Sequence, residues 1–224
     1  MKKFSKYFDH TLLKPDATPS DVLTLVTEAI RYDCASICVN GSYVRSARRF
    51  RDASGSDVKI CAVAGFPLGA MATNAKAYEV QLALEDGAEE IDLVMNIGQA
   101  KAGNWAYVED EIYAIGEMCH EDGAIIKVII ETCLLTGDEI VKACQSAEAA
   151  GADFVKTSTG FGASGAKVED VELMKQTVGD RLQVKASGGI RTLDDAKAML
   201  AAGADRLGCS ASVEIIEAFE ETQG

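Results

Sequence analysis

Short apolar runs recur along this chain, and each follows a longer stretch with helical spacing that closes on a glycine. The segments DGAEEIDLV, DGAIIKVII, AGADFVKTS and AGADRLGCS share that plan. It predicts a helix ending at Gly87, Gly123, Gly151 or Gly203 as the C′ residue, with a strand opening just after it. The separations are 36, 28 and 52 residues; the last spans two units, with Gly179 in VGDRLQVKAS falling between them. Eight strands are predicted in all: YFDHTLL, ASICVN, VKICAVAGF, EIDLVMN, IIKVIIE, DFVKTST, LQVKASG and DRLGCS. Helical patterns such as NAKAYEVQLALEDG and LDDAKAMLAAG lie between them, and no long Pro/Gly/Ser linker interrupts the series. Eight strands alternating with helices predict an α/β fold of the TIM (β/α)8 barrel type, one domain over 1–224. A doubly wound sheet is the alternative, because periodicity does not show closure.

Composition narrows the function. At 224 residues, 48% hydrophobic and 25% charged, the chain can bury one substantial core. A net charge of -13 speaks against nucleic acid or an anionic membrane as partner, since both require a basic surface. Any anionic substrate must then be held locally. The seven cysteines, at 34, 38, 61, 119, 133, 144 and 209, form no CxxC pair and are read as reduced thiols. MKKFSKYFDHTLLKPD has no apolar stretch of signal-peptide length, and no segment approaches transmembrane length, so a cytoplasmic location is expected. With only His10 and His120, neither a histidine metal site nor a Ser-His-Asp triad is apparent.

The barrel reading directs attention to the C-terminal ends of the strands, where this fold carries its chemistry. Lys127, Lys156 and Lys185 stand 29 residues apart, each inside a predicted strand. Buried lysines serve either an ion pair or a reaction. Asp92 in EIDLVMN joins them, and alternation puts Asp92, Val94 and Asn96 on one side of their strand. Asp92 can be a counter-ion, a proton shuttle, or both. Neutral lysine attacks a carbonyl to give an iminium, which permits an adjacent carbon–carbon bond to break without a metal. At the ordinary lysine pKa only about one molecule in 2,500 is neutral at pH 7, and a second ammonium nearby raises that fraction. Lys156 and Lys185 on adjacent strands suit this arrangement; spacing alone leaves open which is the nucleophile.

The run GFGASG at 160–165 fits the dinucleotide pattern GxGxxG. Its setting does not: the strand before it contains Lys156, the strand after it carries Lys185 in place of a ribose-binding acid, and it falls late in the chain. Nicotinamide binding is set aside, and no cofactor is expected.

VKTSTGF at 155–161, VKASGGIR at 184–191, EIDLVMNIG at 90–98, KVIIET at 127–132 and DHTLLKP at 9–15 resemble the deoxyribose-phosphate aldolase family from the first strand to the last. The resemblance implies a class I aldolase that reversibly cleaves 2-deoxy-D-ribose 5-phosphate into D-glyceraldehyde 3-phosphate and acetaldehyde, in deoxyribose catabolism. It implies Lys156 as the Schiff-base lysine, with Asp92 and Lys185 as its proton-transfer pair. Asp9, Thr11, Cys38, Thr157 and Gly160 match substrate-binding positions, Cys38 as a pocket-lining residue, and Lys127 has a supporting part. A homodimer is the family expectation, with small sugar phosphates and aldehydes as the molecules bound.

The substrate phosphate is expected at Gly188 and Gly189 after the seventh strand and at Gly208 and Ser210 around the eighth, the usual phosphate site of such barrels. Two positions depart from part of the family: Phe161 stands where some relatives have lysine, and Ala211 replaces the second serine of the last loop, with Ser212 next to it as a substitute. A sugar-phosphate isomerase or epimerase, and a non-enzymatic phosphate-metabolite-binding barrel, are the competing functions. Neither needs an iminium-forming lysine.

Overall fold

All eight predicted runs form strands in the computed structural model, which describes residues 2–223. They are β1 (Phe8–Leu12), β2 (Ser36–Val39), β3 (Lys59–Ala64), β4 (Glu90–Val94), β5 (Ile125–Ile129), β6 (Phe154–Lys156), β7 (Gln183–Ser187) and β8 (Arg206–Cys209). Each pairs in parallel with the next and β8 closes on β1, which decides for the barrel over the open sheet. The helices are α1 (Pro19–Tyr32), α2 (Val44–Ala53), α3 (Thr73–Glu85), α4 (Ile97–Lys101), α5 (Trp105–Glu121), α6 (Gly137–Ala149), α7 (Val168–Val178), α8 (Leu193–Ala201) and α9 (Ser212–Glu221). None of the described helices is long and apolar enough to cross a membrane.

The local sequence accounts for where these elements start and stop. Capping boxes open α1 (Thr18 with Asp21), α6 (Thr136 with Glu139) and α8 (Thr192 with Asp195), each satisfying two first-turn donors reciprocally. Gly87, Gly123, Gly151, Gly179 and Gly203 all take positive φ just after a helix, so the glycine beat is a series of helix stops at positive φ.

Closure gives every strand two buried faces of different character. Outward residues such as Phe8, Ile37, Ile60, Leu93, Ile126, Val155, Val184 and Leu207 pack with helix residues such as Val22, Ile112 and Met174 in one continuous apolar layer. Residues paired in register share a face, and the pairs Asp92↔Lys127, Lys156↔Lys185 and Lys185↔Arg206 carry a band of charge into the interior. Branched apolar side chains usually fill that interior. Here ion pairs do.

Alternation misplaces Asn96. β4 ends at Val94, and the Asn96 side chain accepts a hydrogen bond from Gln99 N at 3.1 Å as the N-cap of α4, so the carboxamide does not join Asp92. A fully buried pair that the periodicity does not announce holds this corner instead. Lys76 Nζ donates to Glu111 Oε2 and to Val94 O, both at 2.8 Å, while the Glu111 carboxylate accepts from Asn96 N at 3.1 Å and from Thr73 Oγ1 at 3.1 Å. Burial lowers the Lys76 pKa, and Glu111 opposes that shift. The pair ties α3 and α5 to the end of the strand bearing Asp92.

Lys76→Ala would leave the Glu111 carboxylate buried without its counter-ion. A loss of about 3–5 kcal/mol is expected, read as a lower urea midpoint. An unmoved midpoint would show that the pair contributes no net stability.

Candidate active site

Every strand sends at least one polar or charged side chain into the barrel, and those of β2, β3, β5, β6 and β7 converge on Asp92 of β4. Lys156 Nζ lies 2.6 Å and Lys185 Nζ 2.7 Å from Asp92 Oδ2, and Lys127 Nζ lies 2.8 Å from Asp92 Oδ1. Cys61 Sγ donates to Asp92 Oδ1 at 3.1 Å, and Cys38 Sγ stands 3.9 Å from Oδ2. A second tier lies towards the N-terminal end of the barrel. Lys127 reaches Glu90 at 2.6 Å, Arg206 reaches Asp9 at 2.5 Å and Glu90 at 3.3 Å, and Lys185 Nζ is 2.5 Å from Asp9 Oδ2 as a charge contact rather than a directed hydrogen bond.

Opposing forces set the protonation of this cluster. Burial alone would raise the Asp92 carboxyl, but the ammonium groups of Lys127, Lys156 and Lys185 outweigh it and hold the group well below the usual carboxylate range. Asp9 behaves likewise: burial pushes it up, and Arg206, Lys185 and Lys127 pull it further down. For Lys127 and Lys185 burial favours the neutral amine, yet their carboxylate partners keep both above the ordinary lysine value. Those two are committed cations. The donor atoms of Cys38, Cys61 and Asp92 lie within 4.8 Å of one another, a spacing that suits a metal. The Lys127 ammonium, 2.8 Å from Asp92 and 3.3 Å from Cys61 Sγ, already supplies positive charge there, so a metal cation does not fit.

A cavity of about 220 Å³ opens above the cluster at the C-terminal end of the barrel, and Lys156 is its only lysine. Thr11, Gly160, Gly188, Gly189, Gly208 and Ser210 also line it. Asp9, Cys38 and Thr157 are fully buried and are not on its wall. Cys38 is therefore packed beneath the pocket, against Cys61 and Val63, rather than lining it. The Thr157 hydroxyl donates to Ser187 O and accepts from Ser187 N, locking β6 to β7. Gly208 does more than border the cavity: a Cβ there would lie 2.9 Å from Lys185 Cε, so the glycine makes room for that side chain.

The side of the cavity where the sequence leads one to expect a phosphate is built from backbone. Gly188 and Gly189 take φ values of +80° and +79°, which non-glycine residues rarely adopt. α8 and α9 begin beyond β7 and β8, and α9 has Ala211 at its N-cap with no side-chain hydrogen bond to its first turn. Helix N-termini favour anions. Ser212 does not replace the missing serine, because its hydroxyl is buried against His10 Nδ1 at 2.5 Å while His10 Nε2 meets Glu28 at 2.9 Å. This Ser-His-carboxylate row, hidden in the sequence by separations of up to 202 residues, has a fully buried serine that no substrate reaches.

Sequence reasoning also missed Arg191, a cation on the cavity wall at the end of the quoted VKASGGIR, and Glu131. Glu131 is buried at φ +55°, and its carboxylate accepts from the Thr159 backbone N and hydroxyl, holding the β6–α7 loop. No local pattern marks such a position. The Phe161 ring meets Phe66 edge-on at 5.4 Å beside the cavity. GFGASG lies in this loop and ends before α7 begins at Val168, so it does not form the strand–glycine–helix turn of a dinucleotide site.

Comparison with known proteins matches residues 4–215 to the DeoC/LacD family aldolase model. A deoxyribose-phosphate aldolase of Clostridium botulinum (strain Okra / Type B1) is 54% identical over 215 residues, covering 96% of this chain and all of the relative. One from Streptococcus mutans is 50% identical over 222 residues, 99% of each chain. The solved deoxyribose phosphate aldolase from Aeropyrum pernix, described as having a unique tetrameric structure, superposes with a TM-score of 0.91 at 35% identity, covering 97% of this chain and 91% of that one.

Asp92→Asn leaves three ammonium groups around a neutral amide and should cost about 3–5 kcal/mol of stability at neutral pH. A carboxylate whose folded pKa is depressed stabilises the fold above its unfolded value, near 3.9, and loses that contribution as pH falls through the folded value. The stability gap between parent and variant should therefore be full above roughly pH 5 and narrow progressively in stronger acid. Urea unfolding across that range reads it, and a gap independent of pH would contradict the assignment of the charge.

Proposed function

The chain belongs to the DeoC/LacD family of aldolases, and from that premise we propose that it reversibly cleaves 2-deoxy-D-ribose 5-phosphate to D-glyceraldehyde 3-phosphate and acetaldehyde through a Schiff base on Lys156. The observation that carries this reading is the inequality of the three lysines. Of the three, Lys156 alone borders the cavity, and among the described residues its ammonium has Asp92 as its one carboxylate partner, whereas Lys127 and Lys185 are fully buried and each meets at least two. The amine that is both reachable and least tied as a cation is the one suited to act as nucleophile.

The steps follow from that placement. Neutral Lys156 adds to the C1 aldehyde of the open-chain sugar, and loss of water leaves an iminium. Removal of the C3 hydroxyl proton forms the C3 carbonyl as the C2–C3 bond breaks, with the electron pair moving to the iminium to give an enamine. The triose phosphate departs, C2 takes up a proton, and water releases acetaldehyde and the free amine. Asp92, within 2.6 Å of Lys156 Nζ and 2.7 Å of Lys185 Nζ, is the group through which protons pass, with Lys185 as its charged partner. Gly188, Gly189 and Ser210 hold the phosphate together with the α9 N-terminus, which reconciles an anionic substrate with a net charge of -13. Thr11 and Gly160 shape the remaining wall, with Asp9, Cys38, Thr157 and Gly208 supporting it from behind. A homodimer in the cytoplasm, acting in deoxyribose catabolism, completes the reading.

Two measurements test it. Acetaldehyde with borohydride should inactivate the protein and add one ethyl group, which peptide mapping places on Lys156; Lys156→Ala should lose both the adduct and nearly all activity while keeping its circular dichroism. An isomerase or a binding barrel has no reason to form this adduct, so its absence would exclude the mechanism. Free deoxyribose should be cleaved much less efficiently than its phosphate, because remote binding energy positions the reacting carbons. Equal efficiency would remove the phosphate assignment.

A further inference from the structure

GFGASG at 160–165 does not form a dinucleotide turn, and the packing around it gives its glycines another reason. A Cβ on Gly162 would lie 2.8 Å from Cys133 Sγ and 3.3 Å from Glu131 Cδ, and one on Gly165 would lie 2.1 Å from Gly188 O. Gly160 takes a φ of +87° on the cavity wall. The run is a strap pressed down at two points: on Glu131 and Cys133 after β5, and on Gly188 after β7. Hydrogen bonds fasten both ends. At the first, Glu131 accepts from the Thr159 hydroxyl and, at 3.3 Å, from Thr159 N, while Phe161 N donates to Thr159 Oγ1 at 3.0 Å. At the second, Ala166 N reaches Ser187 O and Gly188 O, both at 3.0 Å.

Glu131 carries two costs at once. It is a buried carboxyl group whose partners among the described residues are a hydroxyl, a backbone amide and the Cys133 thiol at 3.8 Å, with no ammonium or guanidinium group. Its backbone also stands at φ +55°. The strand pairing explains that conformation. Ile130 N donates to Lys156 O and Thr132 N to Thr157 O, so a step of two residues on one segment meets a step of one on the other, and Glu131 is the extra residue of a bulge. The bulge stands where Lys156 ends β6. A strained residue over-determined by its surroundings beside a cavity is grounds for assigning it a function.

We propose that Glu131 is a positioning residue: through the GFGASG strap it fixes the distance between Lys156 and the Gly188–Gly189 turn, so that a sugar phosphate held at that turn presents its C1 to the amine. The inference rests on the reading of Lys156 as nucleophile and of that turn as phosphate site, and it deepens that reading. Glu131 itself is not on the cavity wall; Thr159, Gly160 and Phe161, which it holds, are. A molecule that spans the cavity needs this spacing, and acetaldehyde, with two carbons, does not. The Lys156 side chain is fixed by Asp92 and its strand by register with Lys185, so the amine keeps its place without the strap.

The test compares two rates in the full chain: cleavage of deoxyribose 5-phosphate, and trapping of acetaldehyde on Lys156 by cyanoborohydride with peptide mapping of the adduct. Glu131→Ala should lower cleavage efficiency by about tenfold or more while trapping stays within about twofold of the parent, because misplacement penalises the molecule that must reach both ends. The advantage of the phosphate ester over free deoxyribose should shrink with it. Glu131→Gln, which keeps an acceptor for Thr159 N, should recover most of the loss. Gly165→Ala lifts the other end of the strap and should give the same split between cleavage and trapping. Unchanged cleavage, an equal loss of cleavage and trapping, or Glu131→Gln as impaired as Glu131→Ala would overturn this inference and leave the aldolase reading intact. No adduct in the parent protein would overturn that reading and this one together. Should Glu131→Ala fail to fold by circular dichroism, Gly165→Ala, with Glu131 in place, decides the matter by the same comparison.

Discussion

A single carboxylate, Asp92, is shared by three ammonium groups inside a closed ring of strands, and the rest of the molecule is arranged so that this contact persists. Buried ions are costly unless each is paired and hydrogen-bonded. The parallel barrel meets that condition because adjacent strands in register bring side chains from distant stretches of chain into one layer, as Asp92 with Lys127 and Lys156 with Lys185. The apolar layer lies on the other face of the same strands, so the hydrophobic core holds the ring shut without filling it. A glycine at 208 and the Thr157–Ser187 hydrogen bonds then keep Lys185 and Lys156 at their separations.

The two ends of the barrel divide the work. At the C-terminal end, glycine-rich backbone, helix N-termini and Arg191 surround a small cavity, giving a locally favourable place for an anion on an acidic protein. At the N-terminal end, Glu90 and Arg206 complete the ion cluster and are largely shielded from water. The Lys76–Glu111 pair lies outside the ring and serves a different purpose, fixing the corner where β4 hands over to α4.

Much of this was legible in the sequence because the barrel repeats. The helix-stop glycines and the eight apolar runs follow from steric rules that act within a few residues, and the spacing of 29 put three lysines at related positions. What escaped depends on contacts across the chain. Arg206 stands inside the predicted strand DRLGCS, and its register with Lys185 would have pointed it inward, but nothing local names Asp9, 197 residues away, as its partner. Ser212 lies beside the loop that suggested it as a phosphate ligand, yet its hydroxyl turns to His10 on β1. Asn96 fits the alternation of a strand that had already ended. Glu131 adopts a left-handed backbone conformation without being glycine, a strained state that only the surrounding hydrogen bonds explain.

Equal spacing made the three lysines look equivalent, and their surroundings make them different. Position along the barrel axis decides how many carboxylates each ammonium can reach. Lys127 and Lys185 lie deep enough to touch both the Asp92 tier and the tier below it, and those partners keep them protonated despite complete burial. Lys156 ends the shortest strand, above the lower tier, where Asp92 is its sole carboxylate among the described residues and the cavity begins. The same closure that buries the cluster thus sorts its members: Lys156 pairs in register with Lys185, whereas Lys127 pairs with Phe154, two residues before Lys156, and the stagger of the strands sets the ammonium groups at different depths. Chemical difference among identical side chains follows from that stagger, before any substrate arrives.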